Sequence, residues 1–289
     1  MQKSVWKHLR IPFSLYLMPV FAFAACQYPF ADIPTLILSF VAIHAFLYPS
    51  DNGYTSYFEK KPDTSSPVQV TIRPALLRLS IAFELCGLLI AFYISREFAV
   101  MLLIYGLVSK SLYFPAIRLK RFGFFTLLLV ALLQGGFAYL MSTLALHHLH
   151  LHELLEVKYM LPAALCSGMI LGFYPLTQIY QHKYDREHGN KTASLILGVN
   201  GTFIFCAVVF FLGNAGFYLY FLHYFKGVIF FILFQVFLSP LYAYFLLWYF
   251  AWIVDDSEAN FHNAMLLNKI AAACLMSFFI MVAIVENWF

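Results

Sequence analysis

Gln181-His182-Lys183-Tyr184-Asp185-Arg186-Glu187-His188-Gly189-Asn190-Lys191-Thr192 is the stretch on which the fold turns. It sets carboxylates, amides and cations between the apolar runs 159–180 and 192–213. Gln181 and Asp185 stand at i and i+4, and Gly189 continues that spacing as a helix terminator. Groups this polar at the end of a membrane span must be hydrated, paired or bound to an ion. A second such island, Asp51-Asn52-Gly53-Tyr54-Thr55-Ser56-Tyr57-Phe58-Glu59-Lys60-Lys61-Pro62-Asp63, follows the apolar run 33–49. If the helix continues through it, Asp51, Thr55 and Glu59 share one face, with Asn52 beside them and Gly53 marking a bend.

The rest of the chain explains why these islands stand out. It has 289 residues, 62% of them apolar and only 11% charged, and a mean hydropathy of +0.78. A soluble domain of this length carries far more charge, so the composition excludes that class. The 33 Phe and 19 Tyr suit lipid-facing surfaces and interfacial belts. The net charge of +4 does not indicate nucleic acid, because the basic residues sit in short loops beside apolar runs. The N-terminus lacks a convincing cleavage site and reads as retained. The five cysteines, Cys26, Cys86, Cys166, Cys206 and Cys274, fall in or beside apolar stretches without C-x-x-C spacing and read as inert buried thiols.

A spanning helix needs about 20 apolar residues. Nine runs meet that need, near 11–29, 33–49, 75–95, 97–116, 122–145, 159–180, 192–213, 227–252 and 264–286. They lack the alternation of barrel strands, and lipid allows no unpaired backbone, so an all-α bundle of nine transmembrane helices is predicted. With the N-terminus inside, 15 of the 18 Lys and Arg fall on inner segments, leaving Arg96, Lys158 and Lys226 outside. Both islands then face the cytoplasm, in a multi-pass protein of a bacterial cytoplasmic membrane. No soluble insertion interrupts residues 1–289, which read as one domain. The islands follow the second and sixth helices, a spacing that suggests two four-helix halves plus a ninth helix.

Two oxygen-rich helix faces, opposed at one bundle mouth, could hold Mg²⁺ through one or two carboxylates, waters and ligand phosphates. They could equally be polar caps and hydrated loop residues. Spacing alone goes no further.

The motifs resemble those of the UbiA superfamily of intramembrane prenyltransferases. Asp51-Asn52-Gly-Tyr-Thr55-Ser-Tyr-Phe-Glu59 fills the frame of its N-D-x-x-D-x-x-x-D motif, and Gln181-x-x-x-Asp185-x-x-x-Gly189-x-Lys191-Thr192 that of its second motif. Tyr113-Phe-Pro115-Ala-Ile-Arg118-Leu-Lys120-Arg121 is similar to the family's loop between helices 4 and 5, followed by Gln134-Gly135. Arg10-Ile-Pro12 is similar to the opening of its first helix. Asn52, Thr55 and Gln181 replace three of the five family aspartates, and Asp51 adds a carboxylate where the family has Asn.

The resemblance implies nine helices, a cytoplasmic site and Mg²⁺-dependent transfer of a prenyl group from a polyprenyl diphosphate to an apolar, aromatic acceptor. Asp51, Asn52, Glu59, Gln181 and Asp185 would be the metal ligands. Arg10, Tyr113, Lys120, Arg121 and Lys191 would contact the diphosphate, with Thr55 beside them. A terpene cyclase, or a non-catalytic lipid-binding or transport protein on the same fold, is the alternative.

Other polar groups admit two readings. Glu84 inside the third run either orients an acceptor or is a hydrogen-bonded structural residue. His44 either lines the cavity or packs in the core. The His147-His148-Leu149-His150-Leu151-His152-Glu153 run reads as a solvated interfacial loop, despite an i, i+4 histidine pair. Asp255-Asp256-Ser257-Glu258 reads as a hydrated inner loop, with Phe261, Asn263 and Asn268 near the cavity mouth.

Overall fold

Among the described residues, the apolar runs between the caps and prolines are helical. The computed structural model describes residue 6 and residues 8–27, 32–58, 73–114, 119–225 and 227–288. The helices are α1 (Ile11–Cys26), α2 (Ile33–Phe58), α3 (Arg73–Ile94), α4 (Arg96–Tyr113), α5 (Gly123–His147), α6 (Val157–Glu187), α7 (Ala193–Tyr224), α8 (Val228–Val254) and α9 (Phe261–Trp288). No β-strand occurs among the described residues. Local chemistry fixes the starts: Asp32 accepts from Thr35 N (3.0 Å), Ser95 from Phe98 N (3.0 Å) and Thr192 from Leu195 N (3.3 Å).

Among the described residues, seven helices are long and apolar enough to cross a membrane: α2, α3, α5, α6, α7, α8 and α9. Two of the nine expected spans, near 11–29 and 97–116, thus correspond to helices that do not meet that measure. Helix α1 is apolar but shorter, and α4 has 18 residues that include Arg96, Glu97 and Lys110. Helix α7 runs on to Tyr224, past the expected end at 213. The polar Asn214 is tolerated there because its amide donates to Phe210 O (2.8 Å), while its oxygen accepts from Gln235 (2.7 Å) and Tyr242 (2.9 Å).

The chain forms two compact units. The first comprises Met1–Leu119 and Leu140–Glu156, the second Lys120–Tyr139 and Val157–Phe289. In the first unit, α3 packs along α2 and α4. A π-helical segment, Val41–Leu47, interrupts α2 one turn before the first island, a distortion often found beside functional positions. In the second unit, α5 packs on α6 at Gly135, where a Cβ would stand 2.6 Å from the Cys166 backbone. Only glycine allows that approach. The core of this unit is aromatic, with Phe203 against Trp248 (5.0 Å) and Phe234 against Phe278 (5.0 Å). Large side chains such as Leu89, Tyr93, Phe211 and Val254 remain exposed on the helices, as lipid contact requires. The chain is an integral, multi-pass membrane protein. None of its five cysteines forms a disulfide; Cys86 is exposed and Cys274 half-buried, where all five were expected to be buried.

Candidate functional site

The described part of the first island, Asp51–Phe58, is helical: Tyr48–Phe58 completes α2. Gly53 does not bend it. A Cβ there would overlap Ser80 Oγ and stand 2.9 Å from Leu9 Cδ2, so Gly53 is a packing contact with neighbouring segments. Thr55 and Ser56 are buried, and Ser56 Oγ donates to His8 O (3.3 Å). Asp51, half-buried beside Asn52, does not stand alone. Lys110 Nζ of α4 lies 3.1 Å from Asp51 Oδ1 and 2.8 Å from Glu84 Oε1 of α3. Ser109 adds a hydrogen bond to Asp51, and the Tyr54 ring lies 5.8 Å from the ammonium. These side chains are only 13–14% exposed. Three helices are thereby tied at one charge cluster.

Glu84 is accordingly paired, resolving its two sequence readings toward a charge-bonded role. His44 packs in the core, its Nδ1 3.0 Å from Ser14 O and its ring stacked on Phe40 at 4.8 Å. Tyr113 ends α4 half-buried. Arg10 adopts a left-handed backbone (φ 47°, ψ 42°) before α1, its guanidinium 5.4 Å from the Phe13 ring centroid. Glu59 and the side chains of Lys120 and Arg121 lie outside the described residues.

In the second unit, the second island divides into a 3₁₀ segment, Tyr174–Gln181, and one short α-helical piece, His182–Glu187. Gly189 (φ 66°) terminates it as the spacing predicted. Asn190 N donates to Asp185 O (2.9 Å) and Gly189 N to Arg186 O (3.3 Å), the two bonds of a Schellman cap. The fully buried Asp185 carboxylate accepts from Asn190 Nδ2 (3.0 Å) and Thr192 Oγ1 (3.3 Å). Gln181 turns the other way, donating to Thr177 O (3.3 Å) and Tyr180 OH (2.9 Å). The i, i+4 pair therefore bonds in opposite directions along the chain. Lys191 is exposed.

Sequence reasoning passed over three cations. Lys110 carried no motif, and its signal is Gly106 one turn earlier. Lys183 and Arg186 are exposed beside His182 in a cavity of about 540 Å³, also lined by Tyr180 and Glu187. Both had been counted only for orientation. Elsewhere, His150 pairs with Glu97 (3.3 Å) and His148 with Asp32 (3.5 Å). No group of three His, Cys, Asp or Glu among the described residues could hold a metal ion. Asn263 is engaged by Tyr244 OH (3.1 Å) and Glu258 O (3.1 Å).

The donor chemistry limits how Mg²⁺ fits. Asp51 shares an ammonium and Asp185 is sealed under Asn190 and Thr192, so neither belongs to a closed carboxylate shell. The other expected ligands among the described residues are neutral amides, Asn52 in the first unit and Gln181 in the second. Mg²⁺ is usually held by one or two carboxylates together with waters and substrate phosphates, so amide donors alone leave such an ion dependent on phosphate oxygens.

No protein-family model and no curated protein sequence matches the chain. Solved structures do. A UbiA homologue from Archaeoglobus fulgidus, bound to DMAPP and Mg²⁺, superposes with a TM-score of 0.69 at 16% identity, covering 97% of this chain and 99% of that one. The same homologue bound to GPP and Mg²⁺ gives 0.68 over 96% and 99%, also at 16% identity. A UbiA homologue from Aeropyrum pernix K1 gives 0.67 at 18% identity, over 93% and 98%. The chain has the UbiA fold from end to end.

Proposed function

We propose that the chain is an intramembrane prenyltransferase, moving a prenyl group from a polyprenyl diphosphate to an apolar, aromatic acceptor. The observation that carries this reading is the end-to-end fold match to homologues holding DMAPP or GPP with Mg²⁺. The islands at the ends of α2 and α6 agree with it. In the reaction, the allylic C–O bond breaks and its electron pair leaves on diphosphate. An acceptor carbon then supplies the pair for the new C–C bond and loses a proton.

This chain's cations do most of the neutralising that departure needs. Lys191, Lys120, Arg121 and Arg10 are the proposed diphosphate contacts, with Tyr113 as a hydrogen-bond donor and Thr55 as a further substrate contact. Lys183 and Arg186 add positive charge to the second island. Asn52 and Gln181 would hold Mg²⁺ with Asp51, Glu59 and Asp185 in supporting positions, and the bound ion would screen the diphosphate charge. Buried aromatic side chains would line the prenyl path and face the allylic cation with their π faces. The distribution of Lys and Arg supports an orientation with the N-terminus and both islands on the cytoplasmic side.

The pairing of Asp51 and the sealing of Asp185 favour one other reading, a lipid-binding or transport protein that has kept the fold without the chemistry. The purified protein in nanodiscs, given DMAPP or GPP and a membrane-lipid extract, separates the two. Metal-stimulated diphosphate release with a prenylated product seen by mass spectrometry supports the transferase. Metal-independent binding of apolar lipids, with no diphosphate released, overturns it.

A further inference from the structure

Lys110 is the group that the proposed reaction leaves unassigned. Its ammonium is held by Asp51 of α2 (3.1 Å) and Glu84 of α3 (2.8 Å), all three side chains nearly closed to solvent. The arrangement is built into the backbone. A Cβ on residue 106 would overlap Glu84 Oε1, and Gly106 leaves that space open. A divalent ion brought to the same oxygens would meet a tethered positive charge at contact distance, and like charges there strongly disfavour one another. Two carboxylates from different helices around a single cation are the donor set an ion would need; the chain fills it with its own side chain.

We propose that Lys110 is a built-in counter-cation, occupying the Asp51–Glu84 pair in place of a divalent ion. Under the prenyl-diphosphate reading, the first island then needs no metal of its own and keeps only ions that arrive with the diphosphate. The absence of carboxylates at Asn52 and Thr55 is consistent with this, since a fixed ammonium requires fewer negative charges than Mg²⁺ does.

Mn²⁺ tests it, followed by electron paramagnetic resonance in nanodiscs without any diphosphate, so that metal binding and prenyl transfer can fail separately. The wild type is expected to hold no tightly bound Mn²⁺. Lys110→Met is expected to gain about one Mn²⁺ per chain through the freed carboxylates, and Glu84→Gln in that background to lose it. Lys110→Gln, which removes the charge but keeps a polar side chain, serves if the methionine variant does not fold. A wild-type Mn²⁺ site abolished by Asp51→Asn, or a folded Lys110 variant that gains no ion, overturns the proposal.

Discussion

Gly106 leaves open the space that the Glu84 carboxylate fills beside Lys110. A Cβ there would overlap Glu84 Oε1 and stand 3.5 Å from Lys110 Nζ. Gly106→Ala should therefore push Glu84 aside, break the 2.8 Å ion pair and cost about 1–3 kcal/mol from overpacking alone. Reversible unfolding in bicelles measures this. Because the two residues touch, the cost should shrink in a Glu84→Ala background. An undiminished effect there would show that Gly106 serves something other than Glu84.

Asp185 supports its own loop. Its carboxylate takes both Asn190 Nδ2 and Thr192 Oγ1, and Thr192 in turn caps α7. Asp185→Ala leaves buried donors unpaired, at about 1–3 kcal/mol. Asn190→Ala should weaken the same cap and, under the proposed function, lower prenyl diphosphate binding in parallel with stability. If Asn190→Ala melts earlier yet binds the diphosphate as the wild type does, Asp185 acts on the ligand by some route other than this loop.

Much of the architecture was legible because a bilayer leaves few choices. Apolar runs of sufficient length must be helices, and their caps and prolines punctuate the sequence. Interaction partners were far less legible. Asp51, Thr55 and Glu59 share a face by spacing, yet nothing in the local sequence says that Lys110, on another helix, would claim Asp51. Asp185 matched a motif, but its bonds to Asn190 and Thr192 depend on the left-handed turn at Gly189. Gly53 read as a bend because helix propensity is local, whereas its role is a contact with Leu9 and Ser80. Charge pairing and close approach are tertiary facts, and one sequence carries only hints of them.

The Gly53 contact makes its own prediction. Gly53→Ala would meet Ser80 Oγ and Leu9 Cδ2, and should destabilise by about 1–3 kcal/mol although alanine is the better helix former. Ser80→Ala should recover part of the loss. A Gly53→Ala variant more stable than wild type in thermal unfolding would restore the bend reading.

The kink in α7 connects the second island to the membrane interior. Gly198 has φ 70° and ψ 176°, a region essentially closed to residues with a side chain. Thr202 Oγ1 sits 2.6 Å from Gly198 O and 3.0 Å from Ser194 Oγ, and Ser194 Oγ lies 2.8 Å from His182 Nε2. The hydroxyls bridge the kink to His182 of the second island. Gly198→Ala should cost about 1–3 kcal/mol through backbone strain. Thr202→Val keeps the shape and removes the bridge, so it should cost about 1 kcal/mol and shift the His182 imidazole resonances in nitrogen NMR. Unmoved His182 signals in a destabilised Thr202→Val protein would confine the hydroxyl chain to α7, and the kink would then shape that helix without reaching the island.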